Sequence, residues 1–290
     1  MYGAAGLRAA FVLAALFAVL AWWPAAAAAA PAGLERAHAH NDYEHDRPLH
    51  DALDAGFKSA EADVWLVDGE LLVAHDRVDV RPDRTLESLY LAPLREIVRR
   101  NGGAVFAGDP DYFTLLIDIK SDAVATYRAL DRELRRHQRI LTRFGPRGVA
   151  PGPVTAIVSG NRPRELMQAQ RVRYAFYDGR MSDLGVATDQ AFVPLISDNW
   201  TRHFTWQGAG PMPAPEREKL RNIVATAHAN GQRVRFWATP EQAQLREAVW
   251  QELLDAEADY VNTDHLEALS DFLQRRDPAP ADPYVSWGSG

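Results

Sequence analysis

The chain has 290 residues, 47% hydrophobic and 24% charged, with a formal net charge of −7 and no cysteine. This removes disulfides, thiolate metal ligands and a cysteine nucleophile. It also argues against nucleic acid as a partner, because that binding depends on neutralising phosphates with excess basic charge.

In chain order, Arg8 precedes an apolar run over residues 9–23, and "PAAAAAAP" then offers small-residue cleavage positions. That is the pattern of a secretory signal peptide at 1–30. The run is shorter than the roughly 20 residues of a spanning helix. The mature protein is therefore expected to be secreted or periplasmic, monomeric and without a stable membrane span. Residues 31–276 are expected to form one domain, and the Pro-rich stretch 277–290 a flexible tail.

The first predicted strand, 34–40, ends in His38-Ala39-His40, and strand alternation turns both imidazoles to one side. A short helix over 48–55 follows. The second strand, 59–65, carries Glu61 and Asp63 at i, i+2. The turn at Asp68-Gly69 leads into an added strand, 69–75, ending in His75-Asp76. After a helix over 86–101, strand 114–119 ends in Asp118-Ile119-Lys120. Then come helix 123–143, strand 154–159, helix 163–170 and strands 174–177 and 192–196. Pro215 and Gly231 bracket helix 215–230. Strand 233–238, helix 241–256, strand 260–262 and helix 266–275 complete the series. This alternation predicts an α/β fold, a single-domain (β/α)8 TIM barrel. A doubly wound sheet is the runner-up, but no Gly-rich turn follows the first strand.

Catalytic groups of such a barrel lie at the C-terminal ends of its strands. Glu61, Asp63 and Asp118 fall there, and inward carboxylates need a balancing charge. Three oxygen donors suit a divalent cation, Mg2+ or Ca2+. A structural ion-pair network through Lys120 and an arginine is the bland alternative. Histidines beside such a cation suit phosphodiester cleavage, one taking a proton from the attacking hydroxyl and one returning a proton to the leaving oxygen. The candidates are His38, His40 and His75.

With these residues in hand, "AHAHND", "EADVWL", "GELLVAHD", "LLIDIK" and "NTD" resemble the glycerophosphodiester phosphodiesterase-like branch of the phosphatidylinositol phospholipase C-like phosphodiesterases. "HNDY", "SLYLAPL" and "YVNTDHL" resemble, within it, the group around the fungal altered inheritance of mitochondria protein 6. The resemblance implies Glu61, Asp63 and Asp118 as metal ligands, His75 as the second catalytic histidine and His38 or His40 as the first. It implies substrate contacts from Asn41 and Lys120 and an aromatic lining from Trp237. It implies a small-molecule phosphodiester or lipid headgroup as substrate. The sequence departs from the family at "HAHND", where the family has "HRG", and at Asp118, where many members have Glu.

Two rivals remain. A zinc amidohydrolase also begins with His-x-His and ends with an Asp, which Asp264 would supply. It needs further histidines, and only His203 and His228 are available. An exported binding protein for a phosphorylated ligand could use the same cation, with Trp200, Trp206 and Trp237 as stacking surfaces. Asp264 is otherwise expected to bond to backbone at the last strand.

Overall fold

The computed structural model describes residues 33–109, 111–186 and 189–278, so the expected signal peptide and the tail beyond Pro278 lie outside the described residues. The chain runs β1 (Leu34–Ala39), α1 (His50–Asp54), β2 (Phe57–Val67), β3 (Glu70–Val73), α2 (Ala92–Arg100), β4 (Phe113–Ile119), α3 (Ala123–Arg136), β5 (Arg143–Gly145), β6 (Gly148–Ala150), β7 (Val154–Gly160), α4 (Arg164–Gln168), β8 (Ala175–Gly179), β9 (Leu195–Asn199), α5 (Trp200–His203), α6 (Ala214–Ala229), β10 (Arg233–Trp237), α7 (Ala243–Asp255), β11 (Val261–Thr263) and α8 (Leu266–Arg276).

Eight strands pair in parallel in the order β10-β9-β8-β7-β4-β2-β1-β11. The remaining seam is thin. It holds the Arg235–Tyr260 bridge and a bond from Tyr260 N to Val234 O at 3.1 Å. The Asp259 side chain accepts from Val234 N at 2.8 Å in place of a further backbone bond. The outcome is a nearly closed eight-stranded parallel barrel with helices around it, the expected TIM architecture.

Alternation sorts the side chains into two layers. Ala60, Ala62 and Val64 of β2 and Ile117 and Ile119 of β4 face outward into the core shared with Leu130, Leu134, Leu269 and Phe272. Their neighbours face inward, where Leu116, Ile157, Phe176, Leu195 and Tyr260 form a separate apolar plug. Burying each such large side chain contributes about 1.5–3 kcal/mol. Below the plug, Lys58 Nζ lies 2.9 Å from Glu35 and 3.0 Å from Asp109, and Arg233 Nη2 lies 2.9 Å from Glu35. The carboxylates of interest lie above it.

Three local departures from expectation have physical causes. The helix expected over 123–143 stops at Arg136, because Thr142 N bonds to Val154 O at 2.8 Å and Val154 N to Ile140 O at 2.9 Å beside β7. The antiparallel pair β5–β6 follows instead. The strand expected from 192 begins at Leu195, because the amides of Phe192 and Val193 turn back to Asp189 O and Pro194 has none to give. The added strand β3 pairs antiparallel with β2 through the Asp68-Gly69 turn, both residues having positive φ as a tight hairpin requires. It ends at Val73, short of His75.

Candidate active site

Register creates the centre of the site. In the parallel pairing of β2 with β4, Asp63 stands opposite Asp118 and Glu61 one inward step below. One oxygen from each of Glu61, Asp63 and Asp118 lies within 4.8 Å of the others. Gly160, at φ +65 on the end of β7, makes room for Asp118, since a Cβ there would meet Asp118 Oδ1 at 2.1 Å.

The positive charge around these carboxylates is unevenly spread. Arg235 Nη2 bonds to Glu61 Oε2; burial raises this carboxylate, but the guanidinium together with the His38 bond and the neighbouring imidazoles outweighs burial and holds Glu61 well below the ordinary carboxylate range. Lys120 Nζ lies 3.1 Å from Asp63 Oδ2 and 3.2 Å from Asp118 Oδ1. That single ammonium does not compensate both. Burial and the charge of Glu61 push Asp63 up to about 6, and burial raises Asp118 as well. Asp63 Oδ1 is buried without a hydrogen-bond partner among the described residues. An orphaned oxygen, carboxylates raised by burial and by their mutual charge, and an oxygen-only donor set fit a divalent cation.

The three histidines occupy different environments. His38 is 1% exposed, with Nδ1 2.6 Å from Ser59 Oγ and Nε2 3.4 Å from Glu61 Oε2. Burial and Arg235 lower it to about 3, so its imidazole is neutral. His40 lies just past the end of β1 and is partly open. Its Nδ1 is 2.7 Å from Asp264 Oδ1. Burial lowers its pKa, but the Asp264 bond and Glu61 outweigh burial and raise it. Asp264 thus bonds a side chain rather than backbone. His75 has a side chain 55% exposed, with Nδ1 3.1 Å from the Tyr43 hydroxyl and 3.3 Å from Asp63 Oδ2. Neither His40 Nε2 nor His75 Nε2 has a hydrogen-bond partner among the described residues.

Two buried residues absent from the candidates join them. Tyr43 OH lies 2.7 Å from Asp63 Oδ2 and 2.8 Å from Asn41 Oδ1, so one phenol links the "HND" turn to the carboxylates and to His75. Asn41 takes the left-handed conformation at φ 46, which asparagine tolerates better than most residues. Arg235 also donates from Nε to Asn262 Oδ1 at 2.9 Å. Its inward position was readable from the i, i+2, i+4 spacing of Arg233, Arg235 and Trp237. Trp237 ends β10 opposite Asn199, with the Arg202 guanidinium 5.9 Å from its ring.

The zinc rival loses its ligands. His203 lies 3.3 Å from Asp198 and His228 3.0 Å from Asp259. Among the described residues, neither these two nor His38 and His40 belongs to a group able to hold a metal. A second group, Glu87, Glu133 and His137, is tied up in ion pairs: His137 lies 2.5 Å from Glu87, and Arg136 pairs with Glu133.

Comparison with known proteins agrees with this geometry. The chain matches the AIM6-like phosphodiesterase domain over residues 32–178, which contains Glu61, Asp63, His75, Asp118 and Lys120. It matches the glycerophosphoryl diester phosphodiesterase family over residues 233–267, which contains Arg235 and Asp264. It is 31% identical over 283 residues to altered inheritance of mitochondria protein 6 of Eremothecium gossypii, covering 82% of this chain and 69% of that one. It is 28% identical over 261 residues to the homolog from Arthroderma benhamiae, covering 81% and 83%. The Saccharomyces cerevisiae protein is 30% identical over 275 residues, covering 81% and 70%. The crystal structure of a glycerophosphoryl diester phosphodiesterase from Parabacteroides distasonis superposes with a TM-score of 0.50, covering 87% of this chain and 90% of that one at 11% identity, a likeness of fold. By sequence match and barrel architecture, the chain belongs to the AIM6-like phosphodiesterase domain family, among the glycerophosphodiester phosphodiesterase-like barrels.

Proposed function

We propose that this is an exported, divalent-cation-dependent phosphoric diester hydrolase acting on a glycerophosphodiester or a phospholipid headgroup by histidine acid–base catalysis. The observation that carries the reading is the convergence of Glu61, Asp63 and Asp118 with His75 held on Asp63. Glu61, Asp63 and Asp118 would hold the cation, Mg2+ or Ca2+, whose chemistry when bound is to neutralise charge on the phosphoryl oxygens. Lys120 adds a movable positive charge beside it, and Asn41 lies within reach of the same end of the barrel.

His75 has the geometry of a proton-transfer group. With its Nδ1 proton directed to Asp63, the lone pair of Nε2 faces the open side. The first-strand partner is His38 by contact with Glu61, or His40 by access and by the orienting Asp264. Separate alanine variants discriminate between them.

The test is hydrolysis of bis(p-nitrophenyl) phosphate and of glycerophosphodiesters by the mature protein, with Mg2+, Ca2+, Zn2+ or EDTA. Turnover restored by Mg2+ or Ca2+, and lost in His75→Ala and in one of His38→Ala and His40→Ala, supports the reading. Tight divalent binding with no turnover of any diester would replace it with that of a binding protein for a phosphorylated ligand.

A further inference from the structure

A recess of about 770 Å³ opens beside the carboxylate cluster at the ends of β4, β7 and β8, lined by Lys120, Asp122, Gly160, Asn161, Arg162 and Tyr177. It shares Lys120 with the cluster, and Gly160 separates it from Asp118 by no more than a backbone. A diester whose phosphate lies at the cluster would place one of its alcohols here.

The charges in and around this recess are unequally satisfied. Arg164 is paired with Asp183 at 2.6 Å and Arg180 with Asp178 at 2.6 Å. Asp122 caps α3, accepting from Ala125 N at 2.8 Å. Arg162 has no carboxylate partner among the described residues. Its Nη1 donates to Gly160 O at 2.9 Å, and its Nε is buried without a partner. Arg162 therefore brings an uncompensated positive charge to the wall of the recess.

The aromatic surface points the same way. The guanidiniums of Arg162 and Arg164 each lie 4.8 Å from the centre of the Tyr177 ring, and Phe192 stacks on it at 5.3 Å. Trp237 carries Arg202. A quaternary ammonium needs a free aromatic face, and at both rings a protein cation already occupies that role.

We infer that the recess receives the alcohol half of the substrate and selects an anionic or polyhydroxy headgroup over a cationic one, with Arg162 as the specificity-determining residue. This rests on the proposed diesterase reading. Hydroxyl and phosphate oxygens would accept from Arg162, whereas a trimethylammonium group would meet Arg162 and Lys120 as like charges.

Glycerophosphoinositol 4-phosphate, glycerophosphoinositol and glycerophosphocholine share the diester and differ in headgroup. Calorimetric binding of each to the mature protein with Ca2+ present, alongside turnover, tests the inference. Affinity should fall in that order, with roughly tenfold between the phosphorylated and the choline compound. Arg162→Gln should compress that ratio to about twofold, and Arg162→Lys should restore most of it. Equal affinities, a preference for choline, no measurable binding of the phosphorylated compound, or an unchanged ratio in Arg162→Gln overturns the inference. Binding in the expected order without turnover of any compound would sink the diesterase reading and leave the headgroup preference standing.

Discussion

The two ends of the barrel both bury charge, and they handle it differently. At the N-terminal end, Lys58 lies within 3.4 Å of Glu35, Asp109 and Asp111, and Arg233 shares Glu35. Each carboxylate there has a cation at short range, Asp109 and Asp111 are also partly open to solvent, and Arg233 Nε is buried without a hydrogen-bond partner among the described residues. At the C-terminal end, Asp63 and Asp118 share one ammonium with little access to solvent, and Asp63 Oδ1 has no partner among the described residues. Carboxylates paired with cations and relieved by solvent hold a structure in register, whereas deeply buried carboxylates left under-compensated await something else. One strand, β2, serves both ends, with Lys58 near its start and Glu61 and Asp63 further along, although Lys58 is out of step with the alternation that turns the two carboxylates inward.

The comparison breaks first at Asp63. Asp63→Asn should reduce diester hydrolysis by about 10³-fold or more, with a melting temperature equal to or above that of the parent protein in EDTA, since a repelled charge is removed. Hydrolysis retained in that variant would mean the top end is structural after all. His75→Ala should cost about 10²–10⁴ in kcat/KM, with divalent affinity unchanged because His75 is not in the carboxylate cluster. Steady-state kinetics and calorimetry check the two halves.

At the lower end, Lys58→Ala removes the cation shared by the buried Glu35 and the partly exposed Asp109 and Asp111. It should lower unfolding free energy by roughly 3 kcal/mol in urea denaturation, with turnover per folded molecule unchanged. Loss of turnover without loss of stability would erase the distinction between the ends.

The smallest effect is a pH slope at Asp42, a carboxylate near the upper end but outside the cluster. Asp42 accepts from Leu49 N at 2.6 Å and Tyr90 OH at 2.8 Å, yet burial dominates and pushes it up to about 6. A carboxyl raised in the folded state stabilises below the unfolded pKa, near 3.8. That contribution is lost as pH rises through 6. Asp42→Asn should therefore flatten the fall in stability between about pH 4 and 6, a slope of at most about 1.4 kcal/mol per pH unit for one proton.

The barrel was legible because its strands and helices differ in hydrophobic period, and β2 and β4 read clearly as inward carboxylates alternating with outward alanines and isoleucines. What the sequence could not reveal was register between strands distant in the chain. Nothing local pairs Arg235 with Glu61 or His40 with Asp264; each pair forms because the barrel closes. Tyr43 was visible in "HNDY", but its role depends on a left-handed Asn41 that returns the phenol to Asp63. The β5–β6 hairpin was hidden by a helical pattern that pairing beside β7 overrides.

The central question is whether the upper carboxylates hold a cation. Anomalous diffraction from crystals grown with Mn2+ measures this directly. The expected result is one strong peak coordinated by Glu61, Asp63 and Asp118, with Asp63 Oδ1 among the ligands and the Lys120 ammonium moved away. A peak confined to Glu87, Glu133 and His137, or no peak with Lys120 still bridging Asp63 and Asp118, would contradict it.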